Sequence, residues 1–352
     1  MTPEELALFD EVLSGQLDIF RLAARKRAEI LKRLAVLEKQ LVDKLATADF
    51  KRGERAKFAR FLKEADAIIK SSYTQMQLDL ELPTVSETVA KITSDTLKVV
   101  LGPIEPTVKL PTQAYHEAVA GTSMVQGVPQ SEWWARQAAT TTANFAAQIR
   151  QGLASNETNQ QLIQRIVGKG GVGGVMNIAR HQAAALVQTG VASVANDARL
   201  ASFRANSDIV LGVKQVSTLD SHTSDICIAY SGATWDLDGN PIKGNKLAFN
   251  GGPPRHFNCR SVLVPILRSY KELGLNVKEP KASTRASDEG QIAANTTFDA
   301  FLKRKSQAYQ DEVLGVGRAD LWRDGKISLK DLVSGNGRPL TLKELRQKAG
   351  LD

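Results

Sequence analysis

Both cysteines of this chain, Cys227 and Cys259, and two of its four histidines, His222 and His256, fall between Thr218 and Arg260. No other stretch limits the fold so tightly. Asp220, Ser221, Thr223, Ser224 and Asp225 crowd six positions with short side chains that hydrogen-bond nearby backbone, which favours tight turns and caps over an extended run. Downstream, Gly251, Gly252, Pro253 and Pro254 fix the backbone immediately ahead of His256, Asn258, Cys259 and Arg260. The pattern predicts a rigid loop braced by its own side chains, with a packed polar cluster at its base.

Three chemistries fit Asp220, Cys227, His256 and Cys259. In the first, the side chains cross-brace the loop, because a fully paired polar network specifies one conformation. This reading is adopted, and no catalytic residue is assigned. In the second, Cys227, His256 and Cys259, with His222 or Asp220 as fourth ligand, supply the tetrahedral nitrogen and sulfur set that zinc prefers. The first half of the stretch offers one cysteine where a zinc knuckle brings two, so neither metal nor cofactor is assigned. The third is a Cys-His nucleophile pair oriented by Asp or Asn, for which the sequence names no oxyanion or substrate pocket.

The segments DSHTSDIC and GGPPRHFNCRS, with a Gly-containing turn at Gly232 between them, resemble the C-terminal motif of the phage Mu F-like head morphogenesis family. The resemblance runs from about Asn144 to Pro265. It rests on Asp220, Thr223 and Cys227 in the first element and on Pro253, Pro254, His256, Asn258, Cys259 and Arg260 in the second. His222 stands where the family usually has Arg, and the second cysteine of the first element is absent. The long helix ahead of the motif carries Gln188, Thr189 and Gly190 where relatives often have Arg-Thr-Glu, so no role of that arginine and glutamate carries over. The resemblance implies a minor head protein of a tailed phage, with portal, major capsid or scaffold proteins as partners and a place in the virion, at the capsid interior or portal vertex, after assembly in the host cytoplasm.

Charge and hydropathy bear on that expectation. A surplus of 46 basic over 38 acidic residues gives a net charge of +8, spread along the chain. Such charge suits packaged DNA or an acidic protein ring, and equally a solvated basic surface. No run approaches the eighteen or so apolar residues that a membrane span needs, and the acidic start MTPEELALFDE is unlike a secretion signal. Two cysteines in a reducing compartment read as free thiols or ligands before a disulfide.

Along the chain, Ile30, Leu34, Leu37, Leu41 and Leu45 recur at helical spacing among basic residues, predicting a long amphipathic helix that turns at Gly53 into a second. The stripe Ile30, Leu34, Leu37 and Leu41 is the expected docking face for a partner groove. Pro83, Pro103, Pro106 and Pro111 exclude one long helix across that region and leave room for a short one capped by Ser86. Trp133 and Trp134 open a helix capped by Ser131, with core or interface burial the reading for the tryptophans. Ser155 starts the next helix. GKGGVGG at 168–174 lacks the Ser or Thr of a Walker loop and reads as a flexible connection. A helix spans Val175–Ala205, with Ile178, Ala185, Leu186, Thr189, Val194 and Ala198 patterned for burial. Strands are expected at Ile209–Val216, around Thr234 and Trp235, and at Ser261–Leu267, the last held to an edge by Pro265. A polar linker covers Lys278–Asn295, a helix runs Thr297–Leu314, a turn falls at Asp324 and Gly325, and a capped helix starts at Thr341 with Glu344.

The expected fold is mainly α with a small α+β C-terminal domain: a helical N-terminal hairpin at 1–82, a Pro-rich connection with a short helix at 83–130, the Mu F-like domain at 131–268, a linker at 269–296 and an attachment module at 297–352. The expected function is head assembly at or near the portal, in multiple copies and without enzymatic activity, with ejection alongside DNA as a further element. The alternatives are a metal-dependent or thiol enzyme acting on nucleic acid or cell wall, and a non-specific DNA-binding protein.

Overall fold

The computed structural model describes residues 3–48, 55–100, 107–170, 172–268, 284–287, 290–293 and 296–351. Helices α1 (Pro3–Ala46), α2 (Arg55–Asp79), α3 (Leu82–Val100) and α4 (Gln113–Thr122) lead to a short ribbon of β1 (Met124–Val125) and β2 (Val128–Pro129). Then come α5 (Gln130–Ala154), α6 (Asn159–Val167), α7 (Val175–Ala205), β3 (Val210–Val216), α8 (Asp225–Tyr230), β4 (Thr234–Asp236) and β5 (Val262–Leu267). A second ribbon, β6 (Thr284–Ser287) and β7 (Gly290–Ala293), precedes α9 (Phe298–Leu302), α10 (Gln307–Leu314), α11 (Val316–Arg323), a 3-10 turn at Leu329–Leu332 and α12 (Leu342–Lys348). The protein is mainly helical with small antiparallel strands in its C-terminal region, as its patterning predicts. Two compact units are each gathered from separated stretches, whereas the five segments read from the sequence run consecutively. One comprises Met1–Ile19, Val85–Glu117 and Ala192–Asp352, the other Phe20–Thr84 and Ala118–Val191.

The second of these units is helical apart from the β1–β2 ribbon. Ile30, Leu34, Leu37, Leu41 and Leu45 are at most 1 % exposed. The stripe expected to dock a partner is therefore consumed inside the chain: an amphipathic pattern shows that a face is covered, without showing by what. On α2 and α5, Phe61 stacks on Phe145 with ring centroids 6.2 Å apart, and Tyr73 leans on Trp134 at the same separation. The Tyr73 hydroxyl pairs with Thr141 Oγ1 at 2.9 Å, which satisfies its polar end and leaves burial to hold its pKa above the ordinary phenol value. Trp134 is core, as expected, while the half-buried Trp133 donates its indole N–H to the Val125 carbonyl at 2.9 Å.

Several boundaries differ from the expectation. Gly53 lies outside the described residues. α3 starts at Leu82 and holds Pro83 in its first turn, where a missing N–H breaks no helical hydrogen bond. Ser86 is consequently inside the helix and not its cap; it is buried, its hydroxyl 2.9 Å from His116 Nδ1. Pro129, not Ser131, precedes α5, and Ser155 closes that helix instead of opening the next. Thr158 opens α6 in a capping box with Gln161. Between α6 and α7 the glycine-rich connection is tight: a Cβ on Gly168 would lie 2.4 Å from the Gly173 carbonyl oxygen. α7 has the predicted bounds, although Ile178 is 47 % exposed.

The unit that bears the Cys/His loop is built on a three-stranded sheet in the order β4-β3-β5, with Pro265 on the edge strand β5 as anticipated. Gly212 on β3 is required by close approach, since a Cβ there would meet the Trp235 carbonyl oxygen at 2.2 Å. The expected linker holds the paired strands β6 and β7, with 269–283, 288–289 and 294–295 outside the described residues. The helix expected over Thr297–Leu314 breaks after Leu302, and Ser306 caps α10 by accepting the Tyr309 N–H. Thr341 and Glu344 form the predicted capping box.

The 297–351 segment shares its core with the sheet. Phe298, Phe301, Leu302, Leu314, Trp322 and Leu345 belong to one apolar cluster with Val213, Tyr230, Trp235 and Leu263. Phe301→Ala should therefore lower the stability of the loop-bearing unit by about 3–5 kcal/mol, the range for emptying a buried aromatic site. Denaturant unfolding followed by tryptophan fluorescence will show a shifted midpoint; an unchanged midpoint would mean that the segment folds apart from the sheet.

Candidate functional site

The chain leaves β3 at Val216 and returns to β5 at Val262, and these two residues are the last paired rung of the ladder. Just beyond it, the Ser217 and Ser261 hydroxyls meet at 2.9 Å, and the Ser217 Oγ donates to the Cys227 carbonyl at 2.8 Å. The excursion is thus pinched at its neck. Gly232 fits the turn after α8 with a φ of 86°, and its N–H donates to the Gln215 carbonyl at 2.8 Å.

Asp220 organises the rim. Its carboxylate accepts both guanidinium arms of Arg260, at 2.5 and 2.7 Å, the His222 backbone N–H at 3.0 Å and the Thr223 hydroxyl at 3.1 Å. Thr223 also lies 2.7 Å from the Thr218 carbonyl. Burial by itself would raise the Asp220 carboxyl, but the hydrogen bonds and charge of Arg260, helped by Thr223 and His222, hold it below the usual carboxylate range. Aspartate at 220 and threonine three places on are the residue types that close such a turn.

Beneath the rim lie the sulfurs. Cys227 Sγ is 3.2 Å from His256 Nε2 and 3.5 Å from Cys259 Sγ, with both cysteines 2 % exposed. The Cys259 N–H donates to the His256 carbonyl at 3.2 Å, which sets His256 and Cys259 on one turn, and Asn258 between them takes a left-handed φ of 59°. Pro253 and Pro254, joined by a cis peptide bond, lead into this turn. The His256 Nδ1 proton is donated to the Phe257 carbonyl at 2.8 Å. The Cys227 thiol is pushed up, foremost by its hydrogen bond to Cys259 and then by burial, while Cys259 is lowered by receiving that bond and by His256.

The structure brings Cys227, His256 and Cys259 together as a three-member group whose donor atoms all lie within 4.8 Å of one another. His222 is exposed and outside that group, and Asp220 is engaged by Arg260, so neither completes the four-ligand set weighed as an alternative from the sequence. Both sulfurs are buried, whereas reactive cysteines sit in partly exposed surroundings.

Sequence reasoning missed three supports of the loop. Arg255 lies 3.5 Å over the Tyr230 ring and donates to Gln215 Oε1 at 2.8 Å; burial lowers its pKa. Its place beside Pro254 and His256 was the available signal. Asn196 on α7 accepts the Leu263 N–H at 3.1 Å, tying the long helix to β5. Arg318 on α11 pairs with Asp225 on α8 across a sequence gap that no local pattern spans, and burial still leaves the Asp225 carboxyl raised.

Residues 143–264 match the model of a protein family described as Phage Mu protein F like protein. No curated protein and no solved structure matches the chain.

Asp220→Asn should cost about 1–3 kcal/mol, because it removes the charge that satisfies Arg260 and two further donors. The native carboxyl is depressed, so its contribution is fully present above the ordinary aspartate value of about 3.9 and is lost as pH falls through its lower folded value. The stability gap between wild type and Asp220→Asn, measured by urea unfolding, should be constant near neutrality and close below about pH 4. A gap that persists in acid would show that the charge of Asp220 is not what braces the turn.

Proposed function

As residues 143–264 carry the domain of phage Mu F-like head morphogenesis proteins, we propose that the chain is a non-enzymatic minor head component that acts in head assembly at or near the portal. The observation that carries this reading is the family match over the same segment in which both halves of the motif close into one braced loop. A loop whose polar groups are paired inwards offers a partner a fixed shape, and binding to a fixed shape loses little ordering entropy.

Portal, major capsid or scaffold proteins are the partners in this proposal, with several copies per particle. The surplus charge of +8 is compatible with a position beside packaged DNA, and travel with the DNA on ejection is part of the proposal. Among the described residues no helix is long and apolar enough to cross a membrane.

The test is made on heads and proheads. The chain should sediment with them, and cross-links from it should concentrate on portal and neighbouring capsid subunits. Binding to isolated portal rings should survive added salt. Recovery of the chain only from the head-free fraction would overturn the proposal. Binding confined to DNA, with affinity falling steeply as salt rises, would replace it with a DNA-binding role.

A further inference from the structure

We propose that Cys227 Sγ, His256 Nε2 and Cys259 Sγ hold one thiophilic divalent cation, zinc, as a structural centre at the base of the loop. The inference rests on these three side chains and is independent of the role in head assembly.

Distance supplies the first argument. Zinc bonds of about 2.3 Å to sulfur and 2.0–2.1 Å to nitrogen, at tetrahedral angles, separate two sulfurs by about 3.8 Å and sulfur from nitrogen by about 3.6 Å. Here Cys227 Sγ lies 3.5 Å from Cys259 Sγ and 3.2 Å from His256 Nε2, each within a few tenths of an ångström of those values, and the third separation is under 4.8 Å.

The histidine is held in the tautomer a metal requires. Its Nδ1 proton is donated to the Phe257 carbonyl, so the ring atom that faces Cys227 Sγ is Nε2, the one whose lone pair a metal would take. Metal-bound histidines are fixed by a carbonyl or carboxylate at the other ring nitrogen in the same way.

The ligands are also positioned without help from a cation. Cys227 is anchored through its carbonyl by Ser217, and His256 and Cys259 share a turn closed by a backbone hydrogen bond. Two sulfurs and an imidazole select zinc over the oxygen-seeking magnesium and calcium. With His222 exposed and Asp220 occupied by Arg260, the described residues supply three protein ligands, and the fourth position of a tetrahedral ion falls to water.

The experiment uses the full chain, purified without chelator and with its thiols reduced. Elemental analysis should find zinc equimolar with protein. Exchange with cobalt(II) should give intense thiolate-to-metal charge-transfer absorption and the ligand-field bands of a tetrahedral ion. Cys259→Ser and His256→Ala should lose the metal, whereas His256→Cys, which replaces one ligand by another, should keep it. A folded, reduced wild-type chain that takes up no zinc on titration and gives no cobalt charge-transfer band overturns the proposal. So does undiminished zinc in Cys259→Ser, or isolation of the chain with Cys227 and Cys259 in a disulfide. Should Cys259→Ser fail to fold, the cobalt spectrum of the wild type decides the question.

Discussion

Asp220 and Arg260, forty positions apart in the chain, meet in a two-armed pair just outside the end of the β3–β5 ladder. Their place in the sequence explains their effect on the fold. Val216 and Val262 make the last backbone rung, Ser217 and Ser261 touch through their hydroxyls, and the carboxylate and guanidinium close the next level. The long excursion between the strands is therefore fastened at its neck, and its closure entropy is met at a few adjacent contacts near the sheet. Cys227 and Cys259 come together because these contacts already place the chain on both sides of them.

The rest of the excursion is held from its far side. Trp235 on β4 is fully buried and donates its indole N–H to the Leu247 carbonyl at 2.7 Å, so the loop beyond the strand folds back over it. Tyr230 stacks on Trp235, and its hydroxyl donates to the Ala248 carbonyl at 3.0 Å. The C-terminal segment packs on the same ring: a Cβ at Gly337 would lie 2.4 Å from the Tyr230 hydroxyl, and the Ala248 N–H donates to the Gly335 carbonyl. Residues 297–351 thus form one wall of the loop, which gives them a structural duty whatever else they contact.

How much of this was legible in the sequence follows from the range of each signal. The bounds of α7, the three strands and the Thr341–Glu344 cap were readable because periodicity and capping act over a few residues. The motif residues were readable because turn chemistry concentrates them. Long-range pairing was not. The stripe of Ile30, Leu34, Leu37 and Leu41 announced burial, but its cover comes from within the chain, which a pattern on one helix cannot encode. Pro83 suggested a break because a proline inside a helix is costly and one in the first turn is not, and only the structure shows which applies. The polar stretch before Thr297 carries little apolar content, yet β6 and β7 pair through backbone groups that composition does not reveal.

The rim pair and the sulfur cluster differ in what they contribute. The Arg260 side chain is 36 % exposed and that of Asp220 13 %, so solvent screens much of their attraction and the pair serves mainly to fix the register of the turn. The two thiols below are buried, the imidazole beside them is half-buried, and on their own the three exchange only weak hydrogen bonds. The proposed cation would change that balance: structural zinc contributes on the order of 10–16 kcal/mol in small domains, comparable to the whole stability of a typical fold. The partly exposed pair can prepare the geometry but is too weak to hold it against large forces, while the sulfurs and imidazole have the chemistry to hold it once a cation is bound. This division accounts for why the two turns are joined by contacts at two depths.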